Sequence, residues 1–320
     1  MKAVYIEQFG GIENLKYGEM PEPGLAPGEA LVKLAVSGVN FIDTYHRVGL
    51  YKLPLPAILG SEGAGVVEKT GDDVTAFKPG DRVAYAMARG SYAEFHAVPE
   101  KYLVRVPDGV EFIDAAAVML QGMTAYYLVR ETFPLKPGHT ALIHAAAGGT
   151  GRLLVQMAKM AGSRVIATAG SPEKAAIASE AGADEVVLYE QQDWVAEVKR
   201  LTGGAGVDVV YDSVGRATCL KGLDCLKPCG MMVSFGQSSG PVEAFDVLLL
   251  MKGSFYITRP TLAHHVGAEE MARSTRDIFQ WIKDGKLKLK IGGRYKLADA
   301  PQAHRDLEGR KTFGKLVLEI

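Results

Sequence analysis

The pattern of apolar and polar positions changes twice along the chain, and each change predicts a different kind of structure. Up to about residue 115, short runs mix β-branched with polar residues, as in Ala30–Ser37 and Gly65–Thr70. Turns rich in Gly and Pro separate them, such as Pro21–Gly28 and Lys78–Asp81. Many short strands with no long helical period predict a small barrel or sandwich. Between residues 122 and 262 the apolar runs become regular: Ala141–His144, Arg164–Thr168, Glu185–Leu188, Val207–Asp212, Met231–Phe235 and Ser254–Thr258. Stretches of helical period lie between most of them, at Gly151–Ala161, Pro172–Ala181, Asp193–Leu201 and Thr218–Leu226. Ser171 stands as an N-cap before Pro172 at the first helical position. Strands that alternate with helices build βαβ units and a parallel sheet. The tail from residue 263 holds an amphipathic helix, Met271–Asp284, and a last apolar strand, Lys315–Glu319, and is read as rejoining the first part. The expected fold is α/β: a doubly wound parallel sheet over 122–262, inserted into a β-rich, barrel-like domain made of 1–121 and 263–320.

Composition narrows the class without naming a function. A chain of 320 residues suits two domains. A net charge of −1 gives no global field to attract nucleic acid or an anionic membrane, so neither is expected as a partner. The cysteines, Cys219, Cys225 and Cys229, are an odd number in one short stretch. They supply no disulfide framework and predict a reducing, cytoplasmic setting. Purely apolar runs such as Val247–Met251 fall far short of the ~18 residues of a membrane span. The first residues lack the basic start and apolar core of a secretory signal.

The chemistry begins at His144–Gly151, which follows a predicted strand and opens a predicted helix. Against the G-x-G-x-x-G fingerprint it reads Ala146-x-Gly148-x-x-Gly151, with alanine first. Gly148 lets the backbone approach a pyrophosphate, and Gly151 lets the helix lie close to the strand. The phosphate charge then meets the unpaired N–H groups of a helix N-terminus. With six strands in place, the motif predicts a Rossmann dinucleotide-binding domain. An NAD site carries an acidic residue about 20 positions on, to grip the ribose 2′-OH. The second strand here ends in Thr168-Ala169-Gly170-Ser171, with no carboxylate. Lys174, one turn into the next helix, is placed to reach a 2′-phosphate beside the Ser171 hydroxyl, which predicts NADPH. The competing reading is a solvated helix lysine, with Glu173 beside it weakening an anion site.

At this point the residues resemble a known family. The run Gly138-His-x-x-Leu142-x-x-x-Ala146-Ala147-Gly148-Gly149-x-Gly151, with Gln156 and Lys159, is similar to the signature of the quinone oxidoreductase/ζ-crystallin family. This is the zinc-free branch of the medium-chain dehydrogenases. The resemblance covers essentially the whole chain, including Asn40–Tyr45, Gly49–Tyr51, Tyr211–Arg216, Ser234–Gly240 and Thr258–Thr261. Over those segments it lies nearest to bacterial NADPH:quinone oxidoreductases. It implies a barrel domain related to the chaperonin-10 fold beside the Rossmann domain, with the cofactor in the cleft between them. It also implies a homodimer joined by edge strands, here Ser254–Thr258, whose apolar pattern is otherwise an exposed edge. Carried over by residue, Asn40 and Thr124 lie near the nicotinamide end, and Ala147, Gly148, Gly149, Thr150 and Gly151 line the pyrophosphate. Ser171, Lys174 and Tyr189 surround the 2′-phosphate, Tyr189 through its phenol or else as an ordinary half-buried tyrosine. Ser213, Phe235, Gly236, Ser238 and Arg310 close over the rest.

Zinc alcohol dehydrogenases of the same superfamily hold catalytic metal at positions that correspond here to Asn40, Ser61-Glu62 and Gln121. No thiolate or imidazole stands there, and a catalytic zinc needs about three protein ligands. The structural zinc lobe is missing too, since Arg82–Ser91 contains no cysteine. Cys219, Cys225 and Cys229 fall on a predicted helix and the turn after it, in a spacing that suits packing and no common zinc motif. No metal is expected. Without one, a simple alcohol is a poor substrate, while an electron-poor acceptor such as a quinone needs only hydrogen-bond donors for its developing oxyanion. Asn40, Tyr45 and Tyr51 are the candidate catalytic donors, on a loop and short helix of the barrel domain, and Asp43 is read as a structural hydrogen-bonder. The alternative for Tyr45 and Tyr51 is that of ordinary barrel aromatics. The expected function is NADPH-dependent, metal-free reduction of quinones. The alternatives are reduction of α,β-unsaturated carbonyls and a cofactor-regulated RNA-binding or structural ζ-crystallin-like role.

Overall fold

A computed structural model describes residues 1–265 and 267–320, and the chain divides into two compact units. One comprises Thr124–His265; the other comprises Met1–Met123 with the described residues of 266–320.

The unit Thr124–His265 carries six strands: β1 (Thr140–Ile143), β2 (Arg164–Ala169), β3 (Glu185–Leu188), β4 (Val207–Asp212), β5 (Leu226–Ser234) and β6 (Tyr256–Thr258). All pairings are parallel, in the order β3-β2-β1-β4-β5-β6. The chain starts in the middle, winds one way and then the other, so the strand order reverses beside β1. Short apolar strands suit burial on both faces. Leu142, Ile166, Val187, Val207, Val210 and Met232 form one buried cluster with Trp194, Val198 and Leu223 from the covering helices. The helices begin where their caps say. Ser171 Oγ accepts from Lys174 N at 3.2 Å, and Pro172 fills the first turn of α2 (Pro172–Glu180). Asp193 is the cap of α3 (Trp194–Leu201), accepting from Val195 N and Ala196 N.

Three expectations for this unit are corrected. The helix expected over Thr218–Leu226 is only Cys219–Gly222, followed by a 3-10 turn, Leu223–Cys225, and the chain then enters β5 at Leu226. Cys219 and Cys225 are buried packing residues, but Cys229 is exposed inside β5. It adopts a left-handed φ of 61° near a break in the β4–β5 register and donates its N–H to Gly253 O. The edge strand is Tyr256–Thr258 and not Ser254–Thr258, because Ser254 also has a left-handed φ of 51°.

In the other unit a seven-stranded sheet runs in the order Ile291–Lys296, Lys315–Glu319, Glu29–Val39, Glu62–Thr70, Arg82–Ala86, Leu103–Arg105, with Phe95–Pro99 also paired to Glu29–Val39. Lys315–Glu319 lies antiparallel to Glu29–Val39, Leu316 opposite Val39, so the tail completes the sheet that the first residues began. A helix from Phe112 to Tyr127, continued as a π-helix to Thr132, is not signalled by the sequence pattern. Residues 112–132 are long and apolar enough to cross a bilayer, yet the segment is two-thirds buried inside the protein, as a core helix is. Apolar residues on every face erase the helical stripe by which helices are recognised. The helix Met271–Asp284 of the sequence reading is Ala268–Lys283.

Candidate active site

A candidate nucleotide site is built within the unit Thr124–His265. After β1 the chain turns through Ala145, in a left-handed φ of 51°, and enters α1 (Gly149–Met160) with Gly148 as N-cap. The helix starts two residues earlier than the sequence pattern suggests. Gly149, Thr150 and Gly151 therefore form its first turn, whose N–H groups have no partner within the helix. Gly148 N donates to Ala145 O at 2.9 Å and closes the loop. A Cβ on Gly151 would overlap the Ala145 carbonyl oxygen and stand 2.9 Å from Ala146 Cα. Gly151→Val should therefore push α1 off β1, and calorimetric titration should find cofactor binding lost from a chain that still folds.

The other expected nucleotide residues of this unit gather at the same ends of the parallel strands. Ala146 N donates to Thr168 O of β2, which joins the phosphate loop to the end of that strand. β2 runs on into Gly170-Ser171 with no carboxylate, and the Tyr189 hydroxyl lies against Gly170, where a Cβ would be 2.6 Å from it. Lys174 is half-buried and Tyr189 exposed, so the phenol and the lysine flank Ser171 from two elements. At the ends of β4 and β5, Phe235 N and Gly236 N donate to Asp212 O, and Ser238 N donates to Ser213 O. A side chain on Gly236 would meet Ser213 O at 2.6 Å, so Ser213, Phe235, Gly236 and Ser238 form one tight wall. Thr124 is buried at the start of the unit, in the helix beginning at Phe112. Asn40 and Arg310 belong to the other unit, Arg310 in a left-handed φ of 54° after the helix Ala300–Glu308.

The unit that contains Asn40 holds a buried polar cluster of its own. Asn40 caps the helix Phe41–Arg47, and its own N–H donates to Asp43 Oδ2 at 2.8 Å. Asp43 accepts two further bonds, from Ser61 Oγ at 2.8 Å and Tyr92 OH at 3.1 Å. Burial pushes its carboxyl up to about 6, against the pull of these donors and of Lys315. Tyr92 also bonds His304, whose imidazole burial holds down to about 3, so the ring beside Arg47 stays neutral. Asn40 Nδ2 donates to Glu62 Oε1 at 2.6 Å, and its other hydrogen faces Gly38 O at 3.5 Å. Asn40 Oδ1 accepts from Lys315 Nζ at 2.8 Å and from Gln121 Nε2 at 3.1 Å. Lys315 also pairs with Glu62 Oε1 and bonds Val39 O at 3.2 Å, while Glu62 Oε2 accepts from Leu120 N at 2.6 Å. The lysine and glutamate side chains are 4% and 0% exposed, so this is a fully buried ion pair. Tyr45 and Tyr51 follow on the helix and the loop after it, ring centroids 5.6 Å apart and edge to face, with Tyr51 exposed.

Sequence reasoning places Asn40, Glu62 and Gln121 at one site but misses Lys315, which reads as the first residue of an apolar strand. Among the described residues, no three His, Cys, Asp or Glu side chains are grouped to hold a metal ion.

Two family descriptions match the chain: an alcohol dehydrogenase GroES-like domain over 26–108 and a zinc-binding dehydrogenase over 149–280. A quinone oxidoreductase of Pseudomonas aeruginosa is 46% identical, over 99% of both chains. A 2-haloacrylate reductase of a Burkholderia species is 39% identical, over 99% of this chain and 98% of its own. The crystal structure of an Escherichia coli quinone oxidoreductase complexed with NADPH superposes with a TM-score of 0.98 at 42% identity, covering 100% of both chains. The zinc of the second description does not fit the residues present. Asn40 and Gln121 offer amides, Glu62 has both oxygens engaged, and the Lys315 ammonium is already the partner of the Glu62 carboxylate.

Proposed function

The chain belongs to the zinc-free quinone oxidoreductase family of the medium-chain dehydrogenases, and from that premise we propose that it reduces quinones with NADPH and without a metal. The observation that carries the cofactor reading is the end of β2. No carboxylate waits there for a ribose 2′-OH, while Ser171, Lys174 and the Tyr189 phenol flank the same short turn. The residues fit the nucleotide: a turn at Gly148–Gly151 in which Gly151 leaves no room for a Cβ, and a wall at Ser213 and Phe235–Ser238. When bound, the nicotinamide supplies the hydride or the electrons that the acceptor takes up.

The chain's own contribution is to bind, orient and donate. Tyr45, Tyr51 and the Asn40 N–H that is only weakly held by Gly38 O are the donors for negative charge developing on a quinone oxygen. Reduction of a quinone to a hydroquinone takes one hydride and one proton, and that proton is available from solvent through these donors. None of them is an obligatory acid. Tyr45→Phe and Tyr51→Phe should each lower kcat by roughly 3- to 30-fold without abolishing it, as expected for loss of one hydrogen bond of several. Loss of all turnover in either variant would make that tyrosine an essential acid.

A second reading has a specific support. The 2-haloacrylate reductase is nearly as similar over the full length, and a haloacrylate is, like a quinone, an acceptor whose conjugated carbonyl is activated for hydride addition. Turnover of 1,4-benzoquinone and a 2-alkenal, measured side by side with NADPH, decides between them. We expect the quinone to be favoured in kcat/KM, and a preference for the alkenal would transfer the assignment to enone reduction. The reading includes a cytoplasmic homodimer. Among the described residues the β6 edge has only β5 as partner, Tyr256 on it is 58% exposed, and the neighbouring Val247, Leu248 and Met251 are 69%, 63% and 77% exposed. An unpaired apolar edge of this kind is ordinarily covered by another chain.

A further inference from the structure

Asp212 ends β4 with no exposed surface, and it serves the loops after both β4 and β5. Its carbonyl oxygen accepts from Phe235 N at 2.8 Å and Gly236 N at 3.3 Å, where the second loop begins. Its carboxylate holds the first loop. Oδ1 accepts from Val214 N at 2.6 Å and Gly215 N at 3.0 Å, and Oδ2 accepts from Thr218 Oγ1 at 2.8 Å. Gly215 takes a left-handed φ of 88° in this turn, and a Cβ there would stand 2.6 Å from Gly240 O. The two loops are stitched together beyond it: Ser238 N donates to Ser213 O, Ser239 N to Val214 O, and Arg216 N to Gly240 O. A buried carboxylate is costly to hold, and the described donors that offset the cost all belong to this one loop. The residues that the loops present, Ser213, Phe235, Gly236 and Ser238, are half-buried and so open to a ligand.

We propose that Asp212 is a positioning residue for the nicotinamide half of the cofactor, acting through the wall of Ser213 and Phe235–Ser238 and touching no ligand itself. The inference rests on the reading that this unit binds NADPH with its 2′-phosphate at Ser171 and Lys174. A dinucleotide lies across the strand ends, with one mononucleotide on each side of the point where the strand order reverses. Ser171 and Lys174 follow β2, so the adenosine half belongs on that side of β1. The nicotinamide half then falls to the ends of β4 and β5, where Asp212 sets both loops. Without its carboxylate, Val214 N and Gly215 N lose their partner, and the first loop is free to leave the second. The adenosine side shares none of these bonds.

The test is calorimetric titration of the full chain with NADP+ and with 2′,5′-ADP, which carries the adenosine and its 2′-phosphate but no nicotinamide riboside. The native protein should bind NADP+ more tightly by about tenfold or more, the effect of a few hydrogen bonds to the missing half. Asp212→Ala should bring the two ligands within about threefold of each other by weakening NADP+ alone. Asp212→Asn should restore most of the preference, since its oxygen can serve Val214 N and Gly215 N while its amide donates to Thr218 Oγ1. Should Asp212→Ala fail to fold, Thr218→Val removes only the Oδ2 bond and should lower the preference by about threefold. A preference that either variant leaves intact overturns the proposal, and so does equal weakening of both ligands, which marks a purely structural role. A native protein that binds both ligands alike also overturns it, while the 2′-phosphate reading stands. A native protein that binds neither fails the NADPH reading itself, and the proposal falls with it.

Discussion

Lys315→Met alone should cost the fold roughly 3–5 kcal/mol, because it strands the Glu62 carboxylate in a buried site with its counter-ion gone. The carboxylate would keep the Leu120 and Asn40 donors, two neutral hydrogen bonds in place of a full positive charge. Adding Glu62→Gln should recover most of that loss, since replacing both members of a buried ion pair by neutral groups of similar volume is often nearly neutral. Urea unfolding of the native chain, the single variant and the pair measures the difference directly. If the single variant is within about 1 kcal/mol of the native protein, the ion pair is not the buried, desolvated contact described here, and water reaches Glu62.

The second large effect concerns the choice between cofactors. Lys174→Ala should weaken NADPH binding by roughly 1.5–3 kcal/mol, about ten- to a hundredfold, while leaving NADH binding almost unchanged. A charge-assisted bond to a phosphate is lost in the first case and absent in the second. Ser171 remains as N-cap, because its oxygen accepts the backbone N–H of residue 174, which alanine keeps. The helix should therefore survive, and the loss should be specific to the 2′-phosphate. Equal weakening of both nucleotides in fluorescence titration would show that Lys174 acts on something the two cofactors share.

Much of the fold is legible in the sequence itself. The strands Glu185–Leu188 and Val207–Asp212 end where their apolar runs end, because flanking turns and charged residues mark both sides. The phosphate loop was readable because its glycines answer a local steric demand, the approach of Gly151 to Ala145. The helix from Phe112 escaped because burial all round leaves no stripe. The expected Thr218–Leu226 helix failed at Gly222, where the chain tightens into a 3-10 turn and then extends. Lys315 escaped for a different reason. A lysine at the start of the strand Lys315–Glu319 reads as a solvated end, and its partner Glu62 lies 253 residues away in sequence. No local pattern connects two such residues. Glu62 stands as an acidic residue inside an otherwise small and apolar run, and nothing in that run names its partner.

The central claim is metal-free, NADPH-dependent reduction of quinones, and one measurement bears on it most directly. After dialysis against a chelator, oxidation of NADPH and of NADH is followed with 1,4-benzoquinone and 9,10-phenanthrenequinone as acceptors. The account predicts undiminished turnover after chelation, with NADPH favoured over NADH for both quinones. Activity that disappears with the chelator and returns with zinc would contradict it, as would tight NADPH binding with no quinone turnover at all.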